Sequence, residues 1–380
     1  IKLNKESQSP FLKNILNEKS SEIKPEFIDY AKAIKTDKIG DKKVSFVANK
    51  YNDIAQVHYI FLFLSDHDKE LGLATQVLQY MGTDQFFKIG ITNDFRTAPD
   101  QLIISLTGLE ENMPKGIELL KSWMQNAKPD QKVYQETVKT ILEGRDVAKK
   151  DKARIMNALS NYAKFGKESR FTDVVSKERL NAIKSEEMTK KIQDLLKMPY
   201  QIFFYGKDFN KFKNYGKSFV EKETLKVPAK KNYPEPATEG KVFFTNYDMV
   251  QTEMSKVGKG NNVDIKNFGK INVFNEYFGR GLSSIVFQEI RESKSLAYSS
   301  YAANGELKKP DYVTTYIGTQ ANKLPQAVNA MDELMANLPQ IPAQFDNAKY
   351  SALKQIASAR INRTNIFFNQ LNLKKLGVDY

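Results

Sequence analysis

The sequence predicts an α+β protein of two tandem, homologous domains, each a mixed sheet with helices packed on one face. Three observations predict it. Strand-like apolar runs alternate with stretches whose apolar residues recur at helical spacing. A lysine-, glutamate- and proline-rich break at Lys222–Lys241 divides the chain. The parts on either side of that break repeat each other at a constant offset of 211 positions, from Gln101 to Tyr312. At 380 residues and 41% apolar composition, there is material for two cores.

Residues 1–35, with Ser20, Ser21 and many lysines, read as a lead-in or linker. The first domain is expected over 36–222. Val57–Leu64 is a continuous apolar run, as in a strand with a covered face. A helix follows over Leu71–Met81, then Gly82-Thr83. Pro99-Asp100 starts a second strand, Gln101–Leu106, and Pro114 suits the first turn of a helix whose apolar face is Ile117, Leu120 and Trp123. Met188–Leu196 reads as a helix and Tyr200–Tyr205 as a strand. The segment 223–240, with Pro228, Pro234 and Pro236, reads as an exposed linker.

The second domain, 241–380, repeats this order. Pro310-Asp311 starts the strand Tyr312–Ile317, Pro325 answers Pro114, and Val328, Met331 and Leu334 answer the helix face. Leu142, Ala148, Asn161, Lys164 and Gly166 pair with Leu353, Ala359, Asn372, Lys375 and Gly377 without a gap. Tyr80-Met81-Gly82 answers Tyr277-Phe278-Gly279 at a different spacing. An ungapped match over about 68 residues that keeps prolines and a glycine in register is not expected by chance. The first domain runs well past Gly166 and the second stops soon after Gly377, so the second domain is expected to be truncated at its C-terminus.

Composition narrows the chemistry. The absence of cysteine excludes disulfides, thiolate metal sites and cysteine nucleophiles. Histidine occurs only as His58 and His67, whose separation fits no common ligand pattern; both read as structural or surface residues. The net charge of +13 raises nucleic acid as a partner, but the lysines are scattered among acids, as Lys149, Lys150 and Lys152 are around Asp151. No basic arm or basic–aromatic helix is present, so no nucleic-acid partner is expected. The longest apolar run, Tyr59–Leu64, is too short to span a bilayer. No signal peptide is visible, and the chain opens on Ile1. Nucleophile-elbow, phosphate-loop and dinucleotide fingerprints are missing, and acid pairs such as Glu110-Glu111 and Glu186-Glu187 suit any charged surface.

The most informative stretch is 279–298. It runs from a Gly279-Arg-Gly281 turn through a short apolar-faced helix closed by Arg291, across a polar break, to Tyr298 at the start of a strand seven residues on. A guanidinium and a phenol so held can grip a peptide carbonyl or a carboxylate. This stretch, with the domain repeat, closely resembles the arginine/tyrosine segment of the pitrilysin/insulinase family of zinc metallopeptidases. The resemblance covers about residues 36–380, as the two-domain C-terminal half of such an enzyme. It implies mostly antiparallel sheets of the processing-peptidase kind. It implicates Arg291 and Tyr298 in substrate binding, with Gly279, Gly281, Ser283 and Ser284 lining a chamber.

Active members of that family carry His-x-x-Glu-His on the first helix, two histidines for zinc and a glutamate as general base. Counting back from Gly82-Thr83 places Leu73 and Val77 at the histidine positions and Gln76 at the glutamate. None can serve, so no metal is expected in this chain and no activity from it alone. The resemblance implies a zinc-bearing partner half, in the same polypeptide or as a separate subunit, and unfolded peptides as substrates. The alternative is a non-catalytic scaffold or recognition subunit of the same fold. Exported bacterial members resemble the chain in being lysine-rich and cysteine-free, which points to the periplasm or cell envelope.

Overall fold

The apolar runs of the first domain assemble into a six-stranded sheet in the computed structural model, which describes residues 9–18, 21, 23–80, 84–234, 236–237, 239–260, 264–305 and 312–378. The strands are β1 (Lys35–Ile39), β2 (Lys42–Ala48), β3 (Ile54–Phe61), β4 (Ile91–Ala98), β5 (Gln101–Leu109) and β6 (Gln201–Gly206). Their spatial order is β1-β2-β6-β3-β5-β4, and every pair is antiparallel except β2 with β6. Central β3 alternates between two covered faces, which is why its run is apolar apart from Gln56 and His58. Val57, Tyr59 and Phe61 enter the main core with Leu73 and Val77 of helix Lys69–Tyr80, Leu120 of helix Met113–Gln125 and Ile192 of helix Ser185–Leu195.

The second sheet has three antiparallel strands in the order β7-β9-β8: β7 (Gln251–Lys259), β8 (Ser299–Asn304) and β9 (Tyr312–Gln320). Its core holds Phe278 of helix Phe268–Phe278, Val286, Ile290, Ile317 and Met331 of helix Leu324–Ala336. The repeat is kept to the residue. β5 and β9, the single turns Glu110–Asn112 and Ala321–Lys323, and helices Met113–Gln125 and Leu324–Ala336 all stand at the same offset. The next helices, Gln131–Ala148 and Pro342–Ser358, begin in register too. Pro114 and Pro325 each sit in a helix's first turn, where a missing N–H costs nothing. Pro310-Asp311, Gly82-Thr83 and Met81 lie outside the described residues. The outer edge of β7, which corresponds to the edge of β3 that β6 occupies, carries no strand among the described residues.

Each domain also lends a helix to the other, an exchange absent from the sequence pattern. Helix Asn365–Lys375 of the second domain covers the free face of the first sheet, its Phe367 stacked on Phe203 at 4.1 Å between ring centroids. Helix Lys152–Phe165 of the first domain runs against the second sheet, where Lys152 pairs with Glu253 at 2.7 Å and Phe165 meets Tyr312 edge-on. The first sheet is therefore layered on both faces, not on one.

The segment 223–240 has no regular structure in its described part but is strapped to the first domain. Thr224 and Leu225 donate their N–H groups to Lys197 O, the Lys231 N–H bonds Asp66 O at 2.8 Å, and the Tyr233 hydroxyl bonds Asp173. Lys42, buried beneath it, pairs with Glu223 at 3.2 Å and lies over the Tyr200 ring.

Candidate functional site: the arginine/tyrosine cleft

Helix Phe268–Phe278 ends where its chain must pass β8 at contact distance. A Cβ on Gly279 would fall 1.8 Å from Ala302 O, and the Ala302 N–H bonds Gly279 O. Only glycine permits that approach. The chain then reverses through Gly281, at φ +82°. Ser284 is fully buried; its hydroxyl donates to Gly281 O at 2.9 Å and lies 3.4 Å from the Phe287 N–H it caps. Ser283 and Gly281 are exposed on the turn.

The short helix expected here is a π-helix, Phe287–Ser293, with the Lys294 N–H reaching back five residues to Glu289 O. Single π turns cost hydrogen-bond quality and are concentrated at functional sites. Buried Ile285, Val286 and Ile290 anchor it to the core, leaving Arg291 half-exposed in its last turn. The helix ends two residues beyond Arg291. Ser295, at φ 51°, reverses the chain, and the Leu296 N–H bonds Ile290 O. Tyr298 is the last residue before β8, not its first, and its N–H already bonds Gly318 O at 2.9 Å.

These constraints bring Arg291 and Tyr298 together. The guanidinium lies over the Phe287 ring at 4.8 Å and over the Tyr298 ring at 5.5 Å. Each such contact is worth about 0.5–1 kcal/mol at an exposed site and fixes the plane of the fork. Among the described residues its one ion pair is to neighbouring Glu292, at 3.6 Å through Nε. Among the described residues no hydrogen bond engages the fork. The Tyr298 side chain is 72% exposed. The pair lines an open cleft of about 380 Å³ together with Gln251, Thr319, Gln320 and Lys323. The spacing in the sequence singled out Arg291 and Tyr298 but missed Lys323, which reaches the cleft from the turn after β9 and donates to Ser295 O at 3.2 Å. The repeat held a signal: the first-domain position equivalent to Lys323 is Asn112.

Leu73, Gln76 and Val77, which the resemblance sets where a metal site would be expected, lie on helix Lys69–Tyr80. Leu73 and Val77 are buried in the main core, and Gln76 faces solvent. Their side chains offer no ligand pair and no base, so these residues do not fit zinc. Among the described residues no group of three or more His, Asp or Glu is placed to hold a metal. His58 lies on the sheet face covered by helix Asn365–Lys375, stacked on Phe203 and meeting Phe368 edge-on, with Nδ1 2.8 Å from Ser105 Oγ. Burial, aided by the Arg96 charge, pushes its pKa down to about 3, so it is neutral. His67 stands half-buried in the loop after β3, edge-on to Phe63.

A family model described as the peptidase M16 inactive domain matches residues 202–352, a span that holds both Arg291 and Tyr298. Among curated proteins, the uncharacterized zinc protease YmxG of Bacillus subtilis (strain 168) is 36% identical over 80 residues, covering 21% of this chain and 20% of that protein. The matched stretch is thus only about a fifth of that relative's length. Among solved structures, a peptidase M16 inactive domain from Pseudomonas fluorescens superposes with a TM-score of 0.67 at 15% identity, covering 90% of this chain and 86% of that one. A protease from Helicobacter pylori gives 0.63 at 13% identity over 91% and 90% of the two chains. The periplasmic protease PqqL from Escherichia coli gives 0.66 at 10% identity, with 97% of this chain laid on 46% of that one. At such identities the likeness is one of fold.

Proposed function

Because this chain belongs to the pitrilysin/insulinase family of zinc metallopeptidases, as a half without the metal site, we propose that it is the substrate-gripping wall of a two-half metalloendopeptidase. The observation that carries this reading is the Arg291 guanidinium lying over the Phe287 and Tyr298 rings in an open cleft, its fork without a hydrogen bond among the described residues and the phenol exposed. Zinc and the general base belong to the partner half, which carries His-x-x-Glu-His in the same polypeptide or in a separate subunit and closes a chamber with this one.

An unfolded peptide lies extended in that chamber. Arg291 donates from its terminal nitrogens to backbone carbonyl oxygens beyond the bond to be cut, which sets the register of the chain. Tyr298 donates its hydroxyl hydrogen to the carbonyl oxygen on which negative charge develops. Both donors are stacked against one another before substrate arrives, so little reorganisation is needed when that charge appears. Gly279, Gly281 and the caps of Ser284 serve by holding the π-helix in place, and Ser283 lies on the exposed turn at the chamber wall. Alone, the chain has no means of activating water and is inactive. The same proposal places it in the bacterial periplasm or cell envelope, in keeping with a lysine-rich, cysteine-free composition.

The test is cleavage of a quenched-fluorescent peptide by this chain, by a zinc-bearing half, and by the two together. Activity is expected only in the mixture, and Tyr298→Phe or Arg291→Ala is expected to lower kcat/KM at least ~10-fold, about 1.4 kcal/mol of transition-state stabilisation. Undiminished activity in both variants would leave a scaffold of the same fold, and zinc-dependent activity from this chain alone would overturn the reading.

A further inference from the structure

We infer that the cleft between the π-helix and the turn after β9 is a carboxylate site, in which Lys323 and Arg291 act together to select peptides carrying a carboxylate on the segment that lies there. This rests on the proposed substrate-gripping role and adds to it the class of peptide preferred. The shared chemistry is a carboxylate, from an Asp or Glu side chain or from a peptide C-terminus.

Four observations carry it. Two cations from different elements, Arg291 of the π-helix and Lys323 of the turn Ala321–Lys323, line one cleft of about 380 Å³. Neither charge is neutralised by a strong partner: Arg291 has only Glu292 at 3.6 Å, through Nε, and Lys323 has no ion pair among the described residues. Lys323 is held in place by its bond to Ser295 O, the residue whose positive φ turns the chain toward Tyr298. The internal repeat supplies a control, because the turn Glu110–Asn112 has the same backbone form and ends in asparagine. The fold does not need a cation at this position.

The opposing charge at the cleft is Glu292, on the same π-helix, and it is 39% exposed beside the Arg291 Nε. That leaves the terminal nitrogens as a fork matched to a carboxylate, with a lysine ammonium as second donor from across the cleft. The remaining polar lining groups, Gln251, Ser295, Thr319, Gln320 and the Tyr298 hydroxyl, are neutral donors and acceptors, and Leu296 and Ala297 are apolar. A backbone carbonyl needs only the arginine and tyrosine; the lysine adds something only when the bound group is negatively charged.

The experiment is fluorescence anisotropy of labelled, unfolded peptides against the whole chain. One pair of peptides differs by Glu against Gln at a single internal position, and a second by a free against an amidated C-terminus. An exposed ion pair worth up to ~1 kcal/mol predicts about a fivefold preference for the charged member of at least one pair, and which pair shows it identifies the source of the carboxylate. Lys323→Asn, the residue found in the repeat, is expected to cut that preference below about twofold, and Lys323→Arg to restore it; a merely structural lysine would not give this pattern. Equal affinity for charged and neutral members of both pairs, or a preference that survives Lys323→Asn, overturns the inference. The two failures are separable: if Arg291→Ala and Tyr298→Phe still weaken every peptide while charge makes no difference, only the carboxylate site is lost. If those two variants weaken none, the gripping role falls with it.

Discussion

Acidification should loosen the joint between the two domains, and His58 is the group responsible. Its ring is sealed on the first sheet beneath helix Asn365–Lys375, stacked against Phe203 and capped by Phe368, with Nε2 buried and without a partner among the described residues. Burial depresses its folded pKa to about 3, from an ordinary value of 6.5. Because the folded pKa is the lower one, the unfolded chain binds the proton first. The stability is therefore present above pH ~6.5 and is lost as pH falls toward 3. Between pH 7 and pH 5 the linkage amounts to about 2 kcal/mol, since each pH unit below the unfolded pKa costs about 1.4 kcal/mol. The chain has only two histidines, so few other groups titrate in that window. The measurement is chemical denaturation at pH 7 and pH 5, paired with hydrogen exchange of residues 365–375. Wild type should lose about 2 kcal/mol, with early exchange in that helix. His58→Leu combined with Ser105→Ala removes the titrating ring without stranding its hydroxyl partner, and should abolish most of the pH dependence. If the double variant keeps the wild-type pH dependence, the reasoning about His58 is wrong.

Two further predictions test how the site and the domain exchange are held. Gly279→Ala puts a methyl into the Ala302 backbone at 1.8 Å, so β8 and the π-helix must part; a loss of about 1–3 kcal/mol by denaturation is expected, together with weaker peptide binding. Stability within ~0.5 kcal/mol of wild type would show that the approach is not a constraint. Phe367→Ala removes the ring stacked on Phe203 and should cost about 3–5 kcal/mol, with faster exchange on the covered face of the first sheet at β3 and β6; exchange confined to the second domain would show that the helix does not hold the two together.

Much of this molecule was legible along the chain. The repeat at constant offset, the prolines at two equivalent helix starts and the apolar faces of those helices depend on short-range spacing. The elements they mark recur at the same positions in both sheets. The arginine and tyrosine seven residues apart stand out for the same reason, and that Leu73, Gln76 and Val77 offer no metal donors follows from the identity of three side chains. What the chain could not announce is which surfaces meet. Helix 152–165 is amphipathic and helix 365–375 only weakly so, and nothing local says that each packs on the other domain's sheet. That exchange alone turns His58 from a strand residue into a sealed, neutral ring. The π-helix, too, follows the close pass of Gly279 against β8 and is anchored in the core through Ile290, contacts that join segments apart in the chain. Lys323 joins the cleft only because β9 returns beside the strand that Tyr298 precedes. Sequence by itself determined the elements and the chemistry they carry, because both are set by residues within a few positions of one another. Tertiary structure alone decided the company each side chain keeps, because burial, charge and reach depend on chain segments far apart in sequence.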